Sequence, residues 1–159
     1  MIGIVNYIRG NAHRQFRQML QYDDKTFSID LSYHSKVRWL SRGQVLEKVL
    51  SLQKQIVNFF KVRNISCKLP EQYFCWNAAF LYDVMLKQNQ LNVSLQGETK
   101  SIYDMWQKIQ AFWKKLTLLK SVLSRPHISA KHFPQLAKVA GRSWNVKEFT
   151  LRLDSLIEE

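Results

Sequence analysis

Residues 41–60 read S-R-G-Q-V-L-E-K-V-L-S-L-Q-K-Q-I-V-N-F-F, and the expected class of fold follows largely from this stretch. Its apolar residues recur mainly at three- and four-residue steps, the spacing of one face of an α-helix. Ser41 and Gln44 fit an S-x-x-Q capping box, so we expect the helix to begin at Ser41. Pro70, in the loop 63–72, would break any continuing pattern. The apolar stripe comprises Val45, Leu46, Val49, Leu52, Ile56, Phe59 and Phe60.

Similar patterns flank this stretch on both sides. One helix is predicted over residues 2–22, a third over about 73–96, and a fourth from a Ser101–Asp104 capping box to Arg125-Pro126. Residues 126–144 look irregular apart from a helical turn after Pro134, and a short terminal helix should follow a cap at Asn145. Three tryptophans lie on or beside these stripes, and we interpret them as core or helix–helix packing residues: Trp76, Trp106 and Trp113.

Residues 27–33 carry the one good strand signal, because Phe27, Ile29, Leu31 and Tyr33 alternate with polar residues. A single strand lacks partners for its hydrogen bonds, so we expect it to be weak and helix 2–22 to pack loosely. The predicted fold is mainly α: an elongated bundle of four to five helices with at most one short strand.

The net charge of the chain limits the classes of ligand that it is expected to bind. The 159 residues include 24 Lys and Arg against 12 Asp and Glu, a net charge of +12. Residues 1–72 hold 12 of the basic and 5 of the acidic residues, so the surplus is greatest in the front half. A surplus of this size favours contact with a polyanion such as nucleic acid. We expect no membrane span, since no window approaches about eighteen uncharged apolar residues.

The sequence carries no recognisable catalytic or metal-binding pattern. The sequence has no phosphate-binding glycine loop, nucleophile elbow or H-E-x-x-H motif. Cys67, Cys75, His127 and His132 have spacings that match no compact zinc module, and two cysteines suit a reducing compartment. We therefore predict no catalytic residues, no metal, no cofactor and no small-molecule substrate.

The segment around Trp39 is the best candidate binding site. Arg38 and Arg42 flank Trp39 where the predicted strand meets the second helix. Arginine forks beside an indole suit phosphate contact with base stacking, and a helix N-terminus also attracts anions. Packing of Trp39 in the core explains the same residues, and both interpretations stay open.

A family resemblance extends over much of the chain. It runs through N-Y-I-R-G-N-A-H-R-Q-F (6–16), V-R-W-L-S-R-G-Q-V-L (37–46), W-N-A-A-F-L-Y-D-V (76–84), L-N-V-S-L-Q-G (91–97), I-Y-D-M-W-Q-K-I-Q-A-F-W-K-K-L (102–116) and H-F-P-Q-L (132–136). In order and spacing these motifs resemble the hAT superfamily of DNA transposases. The resemblance is strongest to domesticated vertebrate relatives among the BED-finger and general transcription factor II-I repeat proteins.

This resemblance implies a domain organisation and a lack of enzymatic activity. Residues 1–40 would be a remnant of an RNase H-like core, 41–125 a helical insertion-type region, and 126–159 an irregular segment with a terminal helix. The family's three catalytic acidic residues would lie outside this chain, so we expect no DNA cleavage. The Arg38-Trp39 pair matches a family motif implicated in handling flipped or hairpin DNA ends.

Two functions of different classes follow. The first is a non-catalytic, transposase-derived fragment with weak, nonspecific DNA binding through Arg38, Trp39 and Arg42. The second is a helical module that binds a protein partner or itself through apolar surface left exposed; an unselected transposon relic is a third possibility. Family and charge together favour a nuclear location, with the cytoplasm as the alternative. Whether the apolar stripes close on one another or leave an exposed patch separates the first two.

Overall fold

The computed structural model describes residues 2–21, 39–69, 71–96, 101–125, 130–140 and 146–158. Within these ranges all regular structure is helical, which confirms the mainly α prediction. The strand predicted at 27–33 lies outside the described residues. The helices are α1 (Ile2–Asn11), α2 (His13–Gln21), α3 (Trp39–Ser51), α4 (Gln53–Val62), α5 (Gln72–Leu95), α6 (Ile102–Leu123), α7 (Pro134–Ala140) and α8 (Val146–Glu158).

The helices outnumber the predicted four to five mainly because two predicted helices are bent. Helix 2–22 is interrupted at Ala12, and the helix predicted from Ser41 is interrupted at Leu52. At both sites the backbone bonds continue with helical spacing: the Phe16 amide donates to Ala12 at 2.9 Å, and the Ile56 amide donates to Leu52 at 2.9 Å. Neither bend has a proline or glycine at the interruption, so the apolar pattern runs through it unchanged.

The prediction that Ser41 caps the second helix is wrong. α3 begins at Trp39, so Ser41 lies inside its first turn rather than before it. The prediction for the fourth helix is confirmed: the Ser101 side chain accepts from the Asp104 amide, and the Asp104 carboxylate accepts from the Ser101 amide. This reciprocal box satisfies two of the unpaired amide groups at the start of α6.

The chain divides into two compact units, residues 1–82 and 83–159, with α5 contributing to both. The first unit has an apolar core that includes the stripe predicted for residues 45–60 apart from Leu46, which is buried outside this cluster. Aromatic rings join its helices: Phe16 meets Phe59 edge to face at 5.2 Å, and Tyr7 meets Phe60 at 5.4 Å between centroids. The prediction that helix 2–22 packs loosely is wrong for residues 2–21, because Phe59 and Phe60 of α4 pack against them.

In the second unit α6 packs against α8. The apolar face of α6 between Leu116 and Leu123 is buried, as are Phe149 and Leu153 on α8. An ion pair between Lys120 and Asp154, 2.6 Å apart, closes the edge of this helix pair. Among the described helices, none is long and apolar enough to cross a membrane.

Candidate functional site

The part of α6 from Ile102 to Trp113 presents large apolar side chains to solvent. Trp106 is 56% exposed and Trp113 is 53% exposed, so the prediction that they lie in the core or between helices is wrong. Trp76, the third tryptophan of that prediction, is half-buried on α5. Ile102 and Tyr103 at the start of α6 are more exposed still, at 87% and 67%. Described residues bury the apolar face of α6 from Leu116 to Leu123 and leave these large side chains between Ile102 and Trp113 exposed.

A cleft runs along α6 from Trp106 to Lys114. It has a volume of about 280 Å³ and is lined by Trp106, Ile109, Gln110, Trp113 and Lys114; we call it the α6 cleft. Trp106, Ile109 and Trp113 are three and seven residues apart, which places them on one stripe of the helix. The two tryptophans lie beside the buried stripe predicted for this helix. That stripe shares Ile109 with the cleft and comprises Ile102, Met105, Ile109, Phe112, Leu116, Leu119 and Leu123.

The chemistry of the α6 cleft suits an apolar side chain. Its walls are indole and aliphatic surface, with the Gln110 amide and the Lys114 ammonium as the polar groups. Small-molecule sites usually begin at about 300 Å³ and enclose most of their ligand. A cleft of this size on one helix matches a single bulky side chain better than a cofactor. No group of three or more His, Cys, Asp or Glu among the described residues could hold a metal ion.

One lysine lies at the α6 cleft. Lys114 lines the cleft, is exposed and forms no ion pair with any described acidic side chain, whereas Lys115 lies on the opposite side of α6, where its charge acts on Lys87. Asp104 is the one acidic residue of α6, and hydrogen bonds from the Ser101 side chain and amide lower its pKa. Lys108 donates to the Ser94 carbonyl at 2.7 Å. The α6 cleft therefore has one cation in its lining, Lys114, while the lowered pKa keeps Asp104 negatively charged at the start of the helix.

The residues proposed from sequence to bind DNA are only partly described. Arg38 lies outside the described residues. Trp39 is the first residue of α3, and Arg42 follows in its first turn. Their backbone placement agrees with the expected helix start to within two residues, and the binding role of all three stays a prediction.

Other exposed cations lie in the first unit. Arg14 and Arg17 on α2, and Lys54 and Lys61 on α4, are exposed and form no ion pair with any described residue. Arg63 differs from them, because its guanidinium lies 4.8 Å from the Phe59 ring centroid and donates to the side chains of Tyr7 and Gln15. Arg63 is thus engaged in packing, whereas the other four are available to solvent and ligands.

A buried aspartate in the second unit was not identified from sequence. Asp83 is fully buried, and its carboxylate accepts from the amides of Gln135 at 3.3 Å and Leu136 at 3.0 Å. It therefore caps the start of α7. Burial raises the pKa of Asp83, and burial lowers the pKa of Lys87, whose ammonium donates to the His132 carbonyl. The partners are about fifty residues apart, so no local pattern signals this contact.

Cys75 has a structural role in the first unit. Cys75 is buried, and its thiol donates to the Leu69 carbonyl at 2.8 Å and accepts from Gln53 at 2.9 Å. Burial raises the pKa of Cys75, which lowers the fraction of nucleophilic thiolate. The contacts of Cys75 instead fasten the end of the loop after α4 to the start of α5.

Comparison with known proteins gives consistent matches. Residues 1–124 match a family described as the FAM200/GTF2IRD2 helical domain. Over 143 residues, 88% of this chain, the sequence is 34% identical to general transcription factor II-I repeat domain-containing protein 2 of Bos taurus and 32% identical to the Mus musculus protein of that name. The chain spans 15% of the length of each of these curated relatives. No solved structure gives a significant match.

Proposed function

The chain belongs to the FAM200/GTF2IRD2-like helical domain family. We propose that it is a non-catalytic docking module that binds a protein partner through the α6 cleft. The observation that carries this proposal is the exposure of Trp106 and Trp113 on one stripe of α6. Exposed apolar patches of this kind on soluble domains usually mark interaction sites, and tryptophan is enriched among residues that dominate binding energy.

The proposal also includes an origin and a location. We propose descent from a domesticated hAT-type transposase, supported by the family membership and by the ordered motifs between residues 6 and 136. On this view the chain takes no part in DNA cleavage, and its helices once covered other parts of the enzyme. The transcription factor names of the relatives, together with the +12 charge, favour a nuclear location.

Site-specific photo-crosslinking tests the docking function. The photoreactive residue benzoylphenylalanine would replace Gln110 in the α6 cleft and, as a matched control, the exposed Asn58 on α4. In mammalian cells we expect a discrete cross-linked protein from position 110 and none of the same mass from position 58. Adding Trp106→Ala and Trp113→Ala should abolish that cross-link. Identical cross-links from both positions would contradict docking at the α6 cleft.

DNA binding is a second candidate, supported by the exposed cations of the first unit. Arg14, Arg17, Lys54 and Lys61 carry charge that no described acidic residue pairs with. Together with Arg38, Trp39 and Arg42, they offer phosphate contacts and a base-stacking ring. Binding of this kind would be largely independent of sequence and would weaken steeply with salt, because it releases condensed counterions.

Fluorescence anisotropy tests DNA binding and separates the phosphate contacts of the lysines from the contribution of Arg38 and Trp39. Labelled duplex, hairpin and single-stranded DNA would be titrated at low and physiological salt with the wild type, Arg38→Ala/Trp39→Ala and Lys54→Gln/Lys61→Gln. We expect the lysine variant to weaken all three DNAs and reduce the salt slope by about 2, one per phosphate contact. The Arg38/Trp39 variant should lose any preference for hairpin or single strand. Equal binding by all three proteins would contradict the candidate.

A further inference from the structure

We propose that Cys67 and Cys75 form a thiol pair that a hydroperoxide converts into an intramolecular disulfide, which reversibly joins the loop after α4 to the start of α5. This modification site is separate from the α6 cleft and does not depend on the proposed docking function. In a reducing compartment such a disulfide is transient and acts as a redox signal. The proposal rests on the chain path between the cysteines, the contacts of Cys75, and the difference in burial between the two thiols.

The chain turns back on itself between the two cysteines. The Glu71 amide donates to the Lys68 carbonyl at 3.1 Å, a bond that closes a turn. The Cys75 amide then donates to the Glu71 carbonyl at 3.1 Å, at the start of α5. Cys67 directly precedes this turn and Cys75 follows it. The two cysteines therefore flank a chain reversal rather than an extended segment.

The contacts of Cys75 bring its sulfur to the segment that carries Cys67. The Cys75 thiol donates to the Leu69 carbonyl at 2.8 Å. Leu69 follows Cys67 by two residues, which span at most about 7 Å of backbone. Leu69 belongs to the core cluster of the first unit, and Cys67 packs against that same cluster. Burial is the largest cause of the raised pKa of Cys75, and the charge of Cys67 raises that pKa as well, as expected for neighbouring thiols.

Disulfide formation leaves the buried Leu69 carbonyl with a hydrogen-bond donor. The Gln53 side-chain amide donates to the Cys75 sulfur at 2.9 Å and to the Leu69 carbonyl at 3.3 Å. When Cys75 loses its thiol proton, the bond from Gln53 to Leu69 remains. The carbonyl thus avoids the free-energy cost of a buried acceptor without a partner. Oxidation is therefore compatible with the folded first unit.

The difference in burial sets the order of the chemistry. Cys67 is half-buried and meets the oxidant first, whereas Cys75 is buried. The Cys67 sulfur attacks one peroxide oxygen and the O–O bond breaks; Cys67 becomes a sulfenic acid, and the leaving oxygen takes up the Cys67 proton. The Cys75 sulfur then attacks the Cys67 sulfur, the S–O bond breaks, and the hydroxyl leaves with the Cys75 proton as water. The thiols together lose two electrons, which reduce the peroxide.

Non-reducing peptide mapping of the full 159-residue chain tests the proposal. The reduced protein would be treated with hydrogen peroxide, its remaining thiols alkylated, and the monomer isolated before digestion with trypsin. Cleavage after Arg63, Lys68 and Lys87 places Cys67 in peptide 64–68 and Cys75 in peptide 69–87. We expect these two peptides to be joined, with a mass below their sum by the hydrogens lost, and to separate after treatment with dithiothreitol.

Single substitutions give matched controls for the order of reaction. Cys67→Ser and Cys75→Ser should each abolish the joined peptide. In Cys75→Ser, dimedone should trap the Cys67 sulfenic acid, and trapping at Cys75 in Cys67→Ser should be at least about tenfold lower, because that thiol is buried. Separately alkylated peptides from the wild type, disulfides confined to dimers, or stronger trapping at Cys75 would each overturn the proposal.

A second test uses the contact that remains after oxidation. Gln53→Ala leaves the Leu69 carbonyl without its donor only in the oxidised form, because the Cys75 thiol still donates to it in the reduced form. The ratio of disulfide to dithiol in a glutathione buffer should therefore fall at least about fivefold. Asn58→Ala, an exposed position on the same helix, should leave the ratio unchanged. Equal ratios in the two variants would contradict the contact geometry on which the proposal rests.

Discussion

The apolar stripes of the first and second units have the same periodicity but different surroundings. In the first unit, Ile56, Phe59 and Phe60 on α4 are at most 5% exposed. In the second, the stripe of α6 is buried only toward its C-terminal end, and Trp106 and Trp113 remain more than half exposed. Amphipathic periodicity thus identifies the face of a helix that avoids water, but it does not identify what covers that face.

The largest expected effect is in the closed core of the first unit. Phe16 is fully buried, and its ring packs edge to face against Phe59. Phe16→Ala should lower the free energy of unfolding by about 3–5 kcal/mol, because it removes buried apolar surface and leaves a cavity. Urea denaturation followed by far-UV circular dichroism measures this change. A loss below about 1 kcal/mol would indicate that the core of this unit is not closed.

A smaller effect is expected at Asp83 in the second unit. Asp83→Ala removes the acceptor for the buried amide of Leu136 and the more loosely held amide of Gln135, and should cost about 1–3 kcal/mol. Amide hydrogen exchange at these two residues should accelerate more than exchange in α2. Asp154→Ala, which breaks a surface ion pair with Lys120, is the matched control and should cost less than about 1 kcal/mol.

The free energy of unfolding of the second unit should depend on pH because of Asp83. Burial raises its pKa above the ordinary 3.8, against the amide hydrogen bonds of Leu136 and Gln135 and the charge of Lys87. The folded state therefore keeps this proton to a higher pH than the unfolded state. Stability should fall as pH rises from about 3.8 through the raised pKa, by less than about 1.4 kcal/mol per pH unit.

Titration of Lys87 should change stability in the opposite direction, with stability rising as pH rises. Burial lowers its pKa from 10.5, against the charge of Asp83 and with the charge of Lys115, so stability should rise with pH between the lowered pKa and 10.5. Urea titrations at a series of pH values, with hydrogen exchange in α7 as the readout, measure how the titration of both groups changes the stability of the second unit. Asp83→Asn should flatten the acidic slope while Asp154→Asn keeps it. A slope at Asp83 that rises with pH would contradict its raised pKa.

Short-range signals in the sequence predicted local structure well. The Ser101–Asp104 box needs only four residues, and the structure has it as predicted. At Ser41 the same kind of pattern failed, because α3 begins two residues earlier and a capping pattern inside a helix looks identical in sequence. The bends at Ala12 and Leu52 were also missed, since neither interrupts the apolar period nor uses proline or glycine.

Long-range features could not be predicted from the same information. The role of Asp83 depends on amides about fifty residues away, and nothing near it in the sequence marks it as buried. Trp106 and Trp113 have the spacing of core residues, and their exposure depends on which other helices cover α6.

The smallest expected effect on stability is also the sharpest test of the comparison between the two units. Trp113→Ala removes the largest type of side chain, yet this residue is 53% exposed, so only the covered half of the ring contributes and the free energy of unfolding should fall by about 1 kcal/mol. Urea denaturation beside Phe16→Ala measures both under the same conditions. A cost above about 2 kcal/mol would mean that Trp113 is covered within the chain in solution. The α6 cleft would then be part of a closed core, like the stripe of α4, and could not serve as a docking surface.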